Sequence, residues 1–481
     1  MSANTSQGKT NTMSAINTNV SSLVAQNALR QNNASLQTSL TRLSTGLKIN
    51  TGEDDPSGLI AANNLKDQQA GINQAISNAQ QANNVIGTAA GGLTEVSSLL
   101  TELQSLVSET ANSGGLSSTQ VTANQQQVDS ILSTINRVAG STQFGGKQLL
   151  NGNYAYTTSS AAVSAFASIQ INAAQLPDNK TTAVVVQVTN SATTGQIVNT
   201  NTTSSLAAAV SLQVAGASGT TQLSFASGTK LSAVAAAFNN VAAATGVSAF
   251  ASGSTLKLDS NGYGSSQFVS VTATAGTFTT VGAVTKAVGT NAAVNVNGAA
   301  ATTDGKIVSY SSNQLDLQFT LSAALNAGKT KTFGITGGGA SFALGQQVDS
   351  ADNASIGIQN VNTGSLGDVT TGYLSSLASG GANSLTSGNL NVAQNILNEA
   401  INQVSTLSGR LGAFQKYTLG STINNLSVAF ENAASALSDV QDTNFASETA
   451  NLTRAQILAS SATTVLSAAN SQPQNVLKLL G

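Results

Sequence analysis

Three carboxylates, Glu53, Asp54 and Asp55, stand side by side in the stretch TGEDDPSG, residues 51–58, of a chain in which such groups are scarce. Clustered acids could bind a divalent cation or share acid–base work. A calcium loop, however, alternates its oxygen ligands and closes on a later Glu, and that spacing is absent here. Nor does the sequence set a second acid where glycoside chemistry would need it. A helix start fits the residues better. Pro56 suits the first helical position, where the N–H it lacks has no intrahelical partner anyway, and Asp55 can accept from the next free amides. Glu53 and Asp54 add negative charge at the positive end of the helix dipole. The stretch therefore reads as the end of one helix and the start of a longer one, capped by Asp55 and Pro56.

Other groups with chemical potential are fewer still. NAGKT, 326–330, looks like the end of a phosphate loop, but its first glycine is replaced by Ala323 and no strand–helix setting surrounds it. GGG at 337–339 lacks the spacing of a dinucleotide turn and reads as a joint re-entering a sheet. With no His and no Cys the chain has no thiol nucleophile, imidazole base, disulfide or usual zinc site, so neither catalysis nor a cofactor is expected. Asn-x-Ser/Thr triplets such as Asn33–Ser35 are what this composition produces by chance.

Charged residues make up 8% of the 481 positions and the net charge is −2. Ordinary soluble proteins carry roughly 25%. The surface must be mostly amide and hydroxyl, and near-zero charge favours association over staying monomeric. No basic stripe exists to neutralise phosphates, so nucleic acid is not an expected partner. No apolar run reaches the roughly 18 residues that membrane insertion needs. The start, MSANTSQGKTNTMSAINTN, lacks the basic-then-apolar layout of a cleaved secretory signal.

Apolar spacing supplies the elements. Between 14 and 48, Leu29, Leu36 and Leu43 recur every seven residues, with Leu40 and Leu47 offset, which predicts a helix with one apolar face. From 56 to about 111, Leu65, Ile72, Ala79, Ile86, Leu93, Leu100 and Val107 hold a seven-residue track, and Ala75, Ala82, Ala89, Val96 and Leu103 fill the offset one. This is a coiled-coil seam on a helix of roughly 80 Å at about 1.5 Å per residue. Val121–Val138 is expected to fold back along it. Near the C-terminus Leu419, Ile423, Leu426, Phe430, Ala433, Leu437 and Val440 alternate four and three apart, and Leu458, Ala462, Val465 and Ala469 continue after a break near Asp442. The two ends most simply pair with each other. The middle turns β-rich near Tyr154: Thr182–Val188, Thr221–Phe225, Thr255–Leu258 and Phe268–Ala273 read as strands, with one helix around Leu231–Val241. The fold class is α+β, an α-helical coiled-coil bundle of N- and C-terminal helices with a β-rich inserted outer domain.

Several segments resemble bacterial flagellins: SAINTN at 14–19, RLSTGLKIN at 42–50, DDPSGL at 54–59, INRVAGSTQFGGKQLLNG at 135–152, SGRLGAFQ at 408–415, TRAQIL at 453–458 and PQNVLKLL at 473–480. The likeness covers about 13–156 and 342–481. Residues 228–264 are similar to a β-α-β repeat of flagellins and hook-associated proteins, and 342–367 to the returning β-hairpin of the family. The resemblance implies a polar extension at 1–12, an inner helical domain of 13–55 with 442–481, a second domain of 56–156 with 342–441, and a variable outer domain at 157–341. Glu53 stands where many relatives carry a basic residue, and Pro56 where alanine is common.

The resemblance implies a subunit of an open helical homopolymer, the flagellar filament, outside the cell and reached without a cleaved signal. Helices that cannot bury their stripes alone are expected to be marginal until other copies cover them. Ile16, Val20, Leu23, Leu36, Leu40, Leu43, Leu47, Leu458, Val465, Val476, Leu477, Leu479 and Leu480 are the expected filament-core interface. Implied partners are the flagellar export apparatus, an export chaperone, and the filament cap and hook-associated proteins. In the family a vertebrate cell-surface receptor reads the region of SLLTELQSLVSE, 98–109; Glu102 here matches the family's key arginine, Leu106 is retained, and Gln127 replaces a glutamate. A hook–filament junction protein shares such helical ends and is the alternative; a filament-borne metalloprotease would need histidines. An adhesive role for 157–341 stays open.

Overall fold

The structure, a computed structural model, describes residues 18–112, 115–159, 165–176, 181–200, 203–323, 325–347, 349, 352–369 and 371–480, with 475–480 by backbone alone. The helices are α1 (Val20–Thr45), α2 (Pro56–Ala111), α3 (Ser118–Ser141), α4 (Leu231–Asn240), the single turn α5 (Ala242–Thr245), α6 (Leu390–Ala413), α7 (Gly420–Gln441) and α8 (Phe445–Leu480). Strands β1 (Gln143–Phe144) and β2 (Lys147–Gln148) follow α3. The inserted region then runs β3 (Thr157–Ser159), β4 (Phe166–Ala174), β5 (Thr182–Asn190), β6 (Gln196–Thr200), β7 (Val210–Gly216), β8 (Gly219–Phe225), β9 (Val247–Ser252), β10 (Thr255–Ser260) and β11 (Phe268–Ala275). It continues with β12 (Lys286–Val288), β13 (Ala293–Val296), β14 (Ala299–Ala300), β15 (Thr302–Asp304), β16 (Ile307–Ser311), β17 (Leu315–Leu321) and β18 (Thr330–Gly337). The return carries β19 (Ala340–Ala343), β20 (Asn353–Ile356), β21 (Gly367–Asp368) and β22 (Gly372–Tyr373). Two compact units result, Met1–Ile76 with Asn424–Gly481, and Ser77–Ile423.

In the first unit α1 is opened by Asn19, whose side chain accepts from the Ser22 amide at 3.0 Å, and closed by Gly46 in the left-handed region at φ 75°. Helix α1 thus ends before the acidic stretch begins, which corrects the reading that TGEDDPSG terminates it. Gly46 stops the helix because only it tolerates that backbone cheaply. The 46–55 connection pairs instead with the α7–α8 link: Lys48 N donates to Gln441 O (2.7 Å) and Thr443 N to Gly46 O (2.9 Å).

The second unit has its helical core where the heptads put it. Ile86, Leu93, Leu100 and Leu103 of α2, Val128 and Ile135 of α3, and Ile396, Val404 and Leu411 of α6 belong to one buried cluster. Gly92 is required at this crossing, since a Cβ there would stand 2.6 Å from Thr142 Oγ1. Side-chain amides, of which Gln125 is buried, fasten the 361–387 segment to the helices. Gln125 donates to Leu377 O (2.9 Å) and accepts from Leu385 N (2.7 Å). Asn136 accepts from Thr363 N (2.9 Å), and Gln403 accepts from Gly367 N (3.0 Å).

Helix α6 passes into α7 through a π-helical turn, Phe414–Leu419. Its cause lies in the apolar spacing. Buried Val404, Leu407 and Leu411 keep the three–four rhythm, but Phe414 and the fully buried Leu419 stand five apart. A π turn bonds i to i+5 and absorbs the extra residue. Deleting Tyr417, which is 68% exposed, should restore a regular α-helix and keep stability within about 1 kcal/mol. Deleting exposed Thr406 should instead swing Leu407 and Leu411 off the core, at about 2–5 kcal/mol for each leucine lost. Urea unfolding midpoints of the two variants distinguish these outcomes.

The inserted region has two cores. Sheets β14-β13-β5-β18-β3 and β15-β16-β17-β4 share one of them, in which Phe166 lies edge-on to Phe319 and Phe333 at centroid distances of 5.4 and 5.5 Å. Sheets β12-β11-β7-β8 and β6-β10-β9 enclose Leu231, Val234 and Phe238 of α4 in the other. Arg410 of α6 reaches β4 from the helical side, donating to Asn172 O (3.2 Å) and Gly357 O (3.1 Å), and burial pulls its pKa down.

Hydroxyl groups on the helices fold back onto their own backbone. Thr38, Thr41 and Thr45 of α1, Thr94, Ser98 and Thr101 of α2, and Thr449 and Thr453 of α8 each donate to the carbonyl four residues earlier. This is how a helix surface with few charges stays satisfied.

Candidate assembly interface

The face on which α1 meets α8 is built from small side chains. Ser22, Ala25 and Ser39 are buried on α1, and Ala455, Ala462 and Ala469, seven residues apart, on α8. Polar pins fix the register: Asn19 Nδ2 donates to Ala469 O (2.7 Å), Ser22 Oγ to Asn470 Oδ1 (2.7 Å) and Ser39 Oγ to Glu448 Oε1 (2.5 Å). The large apolar residues are left outside. Val20 is 63% exposed, Leu23 54%, Val24 64%, Leu40 47%, Leu458 46% and Val465 57%. Val20, Val24, Ala28, Leu458 and Val465 line an apolar groove of about 520 Å³. Leu36, Leu43 and Leu47 are half-buried. Ile16 and the side chains of Val476, Leu477, Leu479 and Leu480 lie outside the described residues, as does the 1–12 segment.

Covering a Val or Leu is worth about 1.5–3 kcal/mol. The uncovered set therefore offers enough gross stabilisation to compete with the roughly 4–15 kcal/mol that association costs. Hydropathy spacing marked Ala462 and Ala469 but missed Ala455 and the α1 side of the small-residue seam, Ser22, Ala25 and Ser39. The seam's signal was present in the seven-residue recurrence of Ala455, Ala462 and Ala469.

The seam residues of the longer helices divide by depth. Ile72, Ile86, Leu93, Leu100, Val107 and Leu419 are buried, while Leu65, Ile423, Leu426, Phe430 and Leu437 are half-buried. Glu102 and Gln127 are exposed, and Leu106 is buried at 7% exposure.

The acidic stretch has two separate jobs. Asp55 accepts from Ser57 N (3.1 Å) and Gly58 N (3.0 Å) at the start of α2. Gly58 is needed because a Cβ would stand 2.5 Å from Asp55 Oδ2 and from Ile49 Cδ1. Asp54 corrects the dipole reading. Its carboxylate turns back to accept from Asn50 N (3.1 Å) and Thr51 N (3.0 Å) and approaches Arg42 at 3.5 Å, while Arg42 also lies 4.0 Å from Glu448. Both carboxyls are held below their ordinary pKa, Asp54 chiefly by the Thr51 and Asn50 amides with a smaller pull from Arg42, Asp55 chiefly by the Gly58 amide and the Ser57 hydroxyl. A carboxyl whose pKa falls on folding stabilises the native state above its unfolded value, and that contribution is lost as pH drops through the folded value. The 46–58 connection should accordingly loosen below about pH 4. Amide exchange at Thr51 and Gly58 reads this out, and Asp54→Asn should flatten the response at Thr51 while leaving it at Gly58.

The two glycine-containing stretches lack the settings that their motifs require. Asn326–Thr330 forms a turn leading into strand β18 rather than a helix, so no phosphate-binding helix start exists there. Gly338 and Gly339, at φ 92° and 78°, join β18 to β19. Among the described residues no cluster of three or more His, Cys, Asp or Glu could hold a metal, and no helix is long and apolar enough to cross a membrane.

Heptad helices from both chain ends and a β-rich insert make up the architecture that the resemblance to flagellar filament proteins implies. Residues 16–155 match the bacterial flagellin N-terminal helical region, 394–480 the bacterial flagellin C-terminal helical region, and 209–262 the flagellin hook IN motif. The chain belongs to the bacterial flagellin family and is a structural subunit of the flagellar filament. It is 28% identical to flagellin B of Vibrio cholerae over 472 residues, 97% of this chain and 99% of that one. It is 39% identical to polar flagellin B/D of Vibrio parahaemolyticus over 139 residues, 29% of this chain and 36% of that one. Among solved structures it is similar to FliC from Burkholderia pseudomallei at 16% identity and TM-score 0.24, covering 70% of this chain and 99% of that chain.

Proposed function

We propose that residues 13–55 with 442–481 form the innermost layer of the filament, 56–156 with 342–441 the next, and 157–341 its outer surface. The uncovered residues Val20, Leu23, Val24, Leu40, Leu458 and Val465 are then the contacts between copies, and the small-residue seam holds each α1–α8 pair as one interlocking unit. That exposure carries the reading. Copies meet head to tail through different faces, so the assembly grows as an open helix rather than closing into a ring. The subunit is non-catalytic and leaves the cell through the flagellar export apparatus with its chaperone, without a cleaved signal. It joins a structure bounded by cap and hook-associated proteins. Negative-stain microscopy of the purified chain tests this: long uniform tubes support it, and their absence across concentrations and seeding overturns it.

Exposed Glu102 stands where the family's receptor-reading arginine would be, and glutamate cannot supply a guanidinium's bidentate bonds. Activation of the vertebrate cell-surface receptor should therefore be weak. Glu102→Arg with Gln127→Glu should raise potency about tenfold or more in a receptor reporter assay, the return on one charged hydrogen bond. A potent response from the unmodified chain would refute it.

A further inference from the structure

The chain contains three Asn-Gly pairs, at 151–152, 261–262 and 297–298, and their surroundings differ. Asn297 sits in the β13–β14 turn at φ 50°, with its side-chain oxygen accepting from Val185 N at 2.8 Å and its own amide donating to Val185 O at 2.9 Å. Asn151 is half-buried, donates to Gln148 Oε1 at 2.6 Å and accepts from Asn153 N at 3.1 Å. Asn261, just after β10, is exposed, and its carboxamide makes one long bond, Nδ2 to Ala242 O at 3.3 Å. The backbone on either side is fixed: Asn261 N donates to Gly246 O (2.9 Å) and Gly262 O accepts from Ser260 Oγ (2.8 Å). The Gly262 amide itself donates to no group among the described residues.

We propose that Asn261 is a site of spontaneous deamidation in the folded chain. The Gly262 nitrogen attacks Asn261 Cγ, the Cγ–Nδ2 bond breaks, and ammonia leaves with the proton from the Gly262 amide. The resulting succinimide is opened by water at either carbonyl, giving aspartate or isoaspartate at 261. Glycine at 262 matters because it has no Cβ to hinder the attacking nitrogen, and Gln267 Cδ would stand 2.8 Å from any Cβ there. Asparagine is a thermolabile residue in general. What singles out Asn261 is that neither reacting group must break a short hydrogen bond to reach the attack geometry. The product places a new carboxylate two residues from Tyr263, whose ring lies 3.5 Å from Lys306 Nζ, and shifts the net charge from −2 by one further negative unit. A subunit held in a polymer stays in place long enough for such slow chemistry to accumulate.

The test is to age the full-length chain, folded, at physiological temperature and mildly alkaline pH, with peptide mass mapping and isoaspartyl methyltransferase labelling over time. Conversion at 261 should run roughly tenfold faster than at 151 or 297, the ratio a barrier difference of about 1.4 kcal/mol gives. In urea the three rates should converge. Asn261→Gln should remove most of the charge shift seen on isoelectric focusing. Equal rates at the three sites in the folded chain, or faster conversion at 151 or 297, would overturn the assignment.

Discussion

Val465→Asp together with Leu458→Asp should give a chain that folds normally and forms no filaments. Both side chains are about half exposed in the single subunit, at 57% and 46%, so the substitutions should change monomer stability by no more than about 0.5 kcal/mol. In a polymer the same positions would be covered, and a buried carboxylate without a partner costs about 3–5 kcal/mol. At about 1.4 kcal/mol per factor of ten, even one such cost raises the concentration needed for growth more than a hundredfold. Sedimentation and microscopy read the assembly, and circular dichroism checks the fold. Removing 442–481 should reach the same end by another route, because it takes away Ala455, Ala462 and Ala469 and leaves α1 without its intramolecular partner. Filaments of normal length from either variant would refute the interface.

Leu100→Ala should strongly destabilise the long helix and the core it packs in. Leu100 is fully buried in the helical cluster with Leu103, Val128 and Ile396, a setting in which the lost methyl groups leave a cavity that relaxes only in part. The expected loss is about 3–5 kcal/mol. Ile60→Ala on the same helix, where the side chain is 63% exposed, should change stability by under about 0.5 kcal/mol. A comparison of urea midpoints and slopes for the two separates core packing from helix propensity.

The difference between those two positions was readable in the sequence, because a seven-residue track of Ile86, Leu93, Leu100 and Val107 admits one buried face. Strands β5, β8, β10 and β11 were readable for a similar reason: β-branched runs bounded by Gly, Ser and Asn leave few other options. The α1–α8 seam was harder. Ala and Ser carry too little hydropathy to mark a face, so spacing drew attention to Leu36, Leu40 and Leu43 while Ala25 and Ser39 made the contact. Asp54 was misread because a helix dipole and a loop clamp attract the same residue type, and only the fold shows that Arg42 and the Thr51 amide lie within reach. The amides Gln125, Asn136 and Gln403 left no pattern at all, since a single side chain bonding a distant backbone group has no period.

The hydroxyls that bond their own helix have a consequence for how the polymer meets its surroundings. Helix surfaces with few charges, whose hydroxyls bond their own backbone, offer counterions little to screen, so ionic strength should only weakly move the affinity between subunits. Heat and excluded solutes, which act through water at apolar surfaces, become the agents that govern whether these subunits hold together.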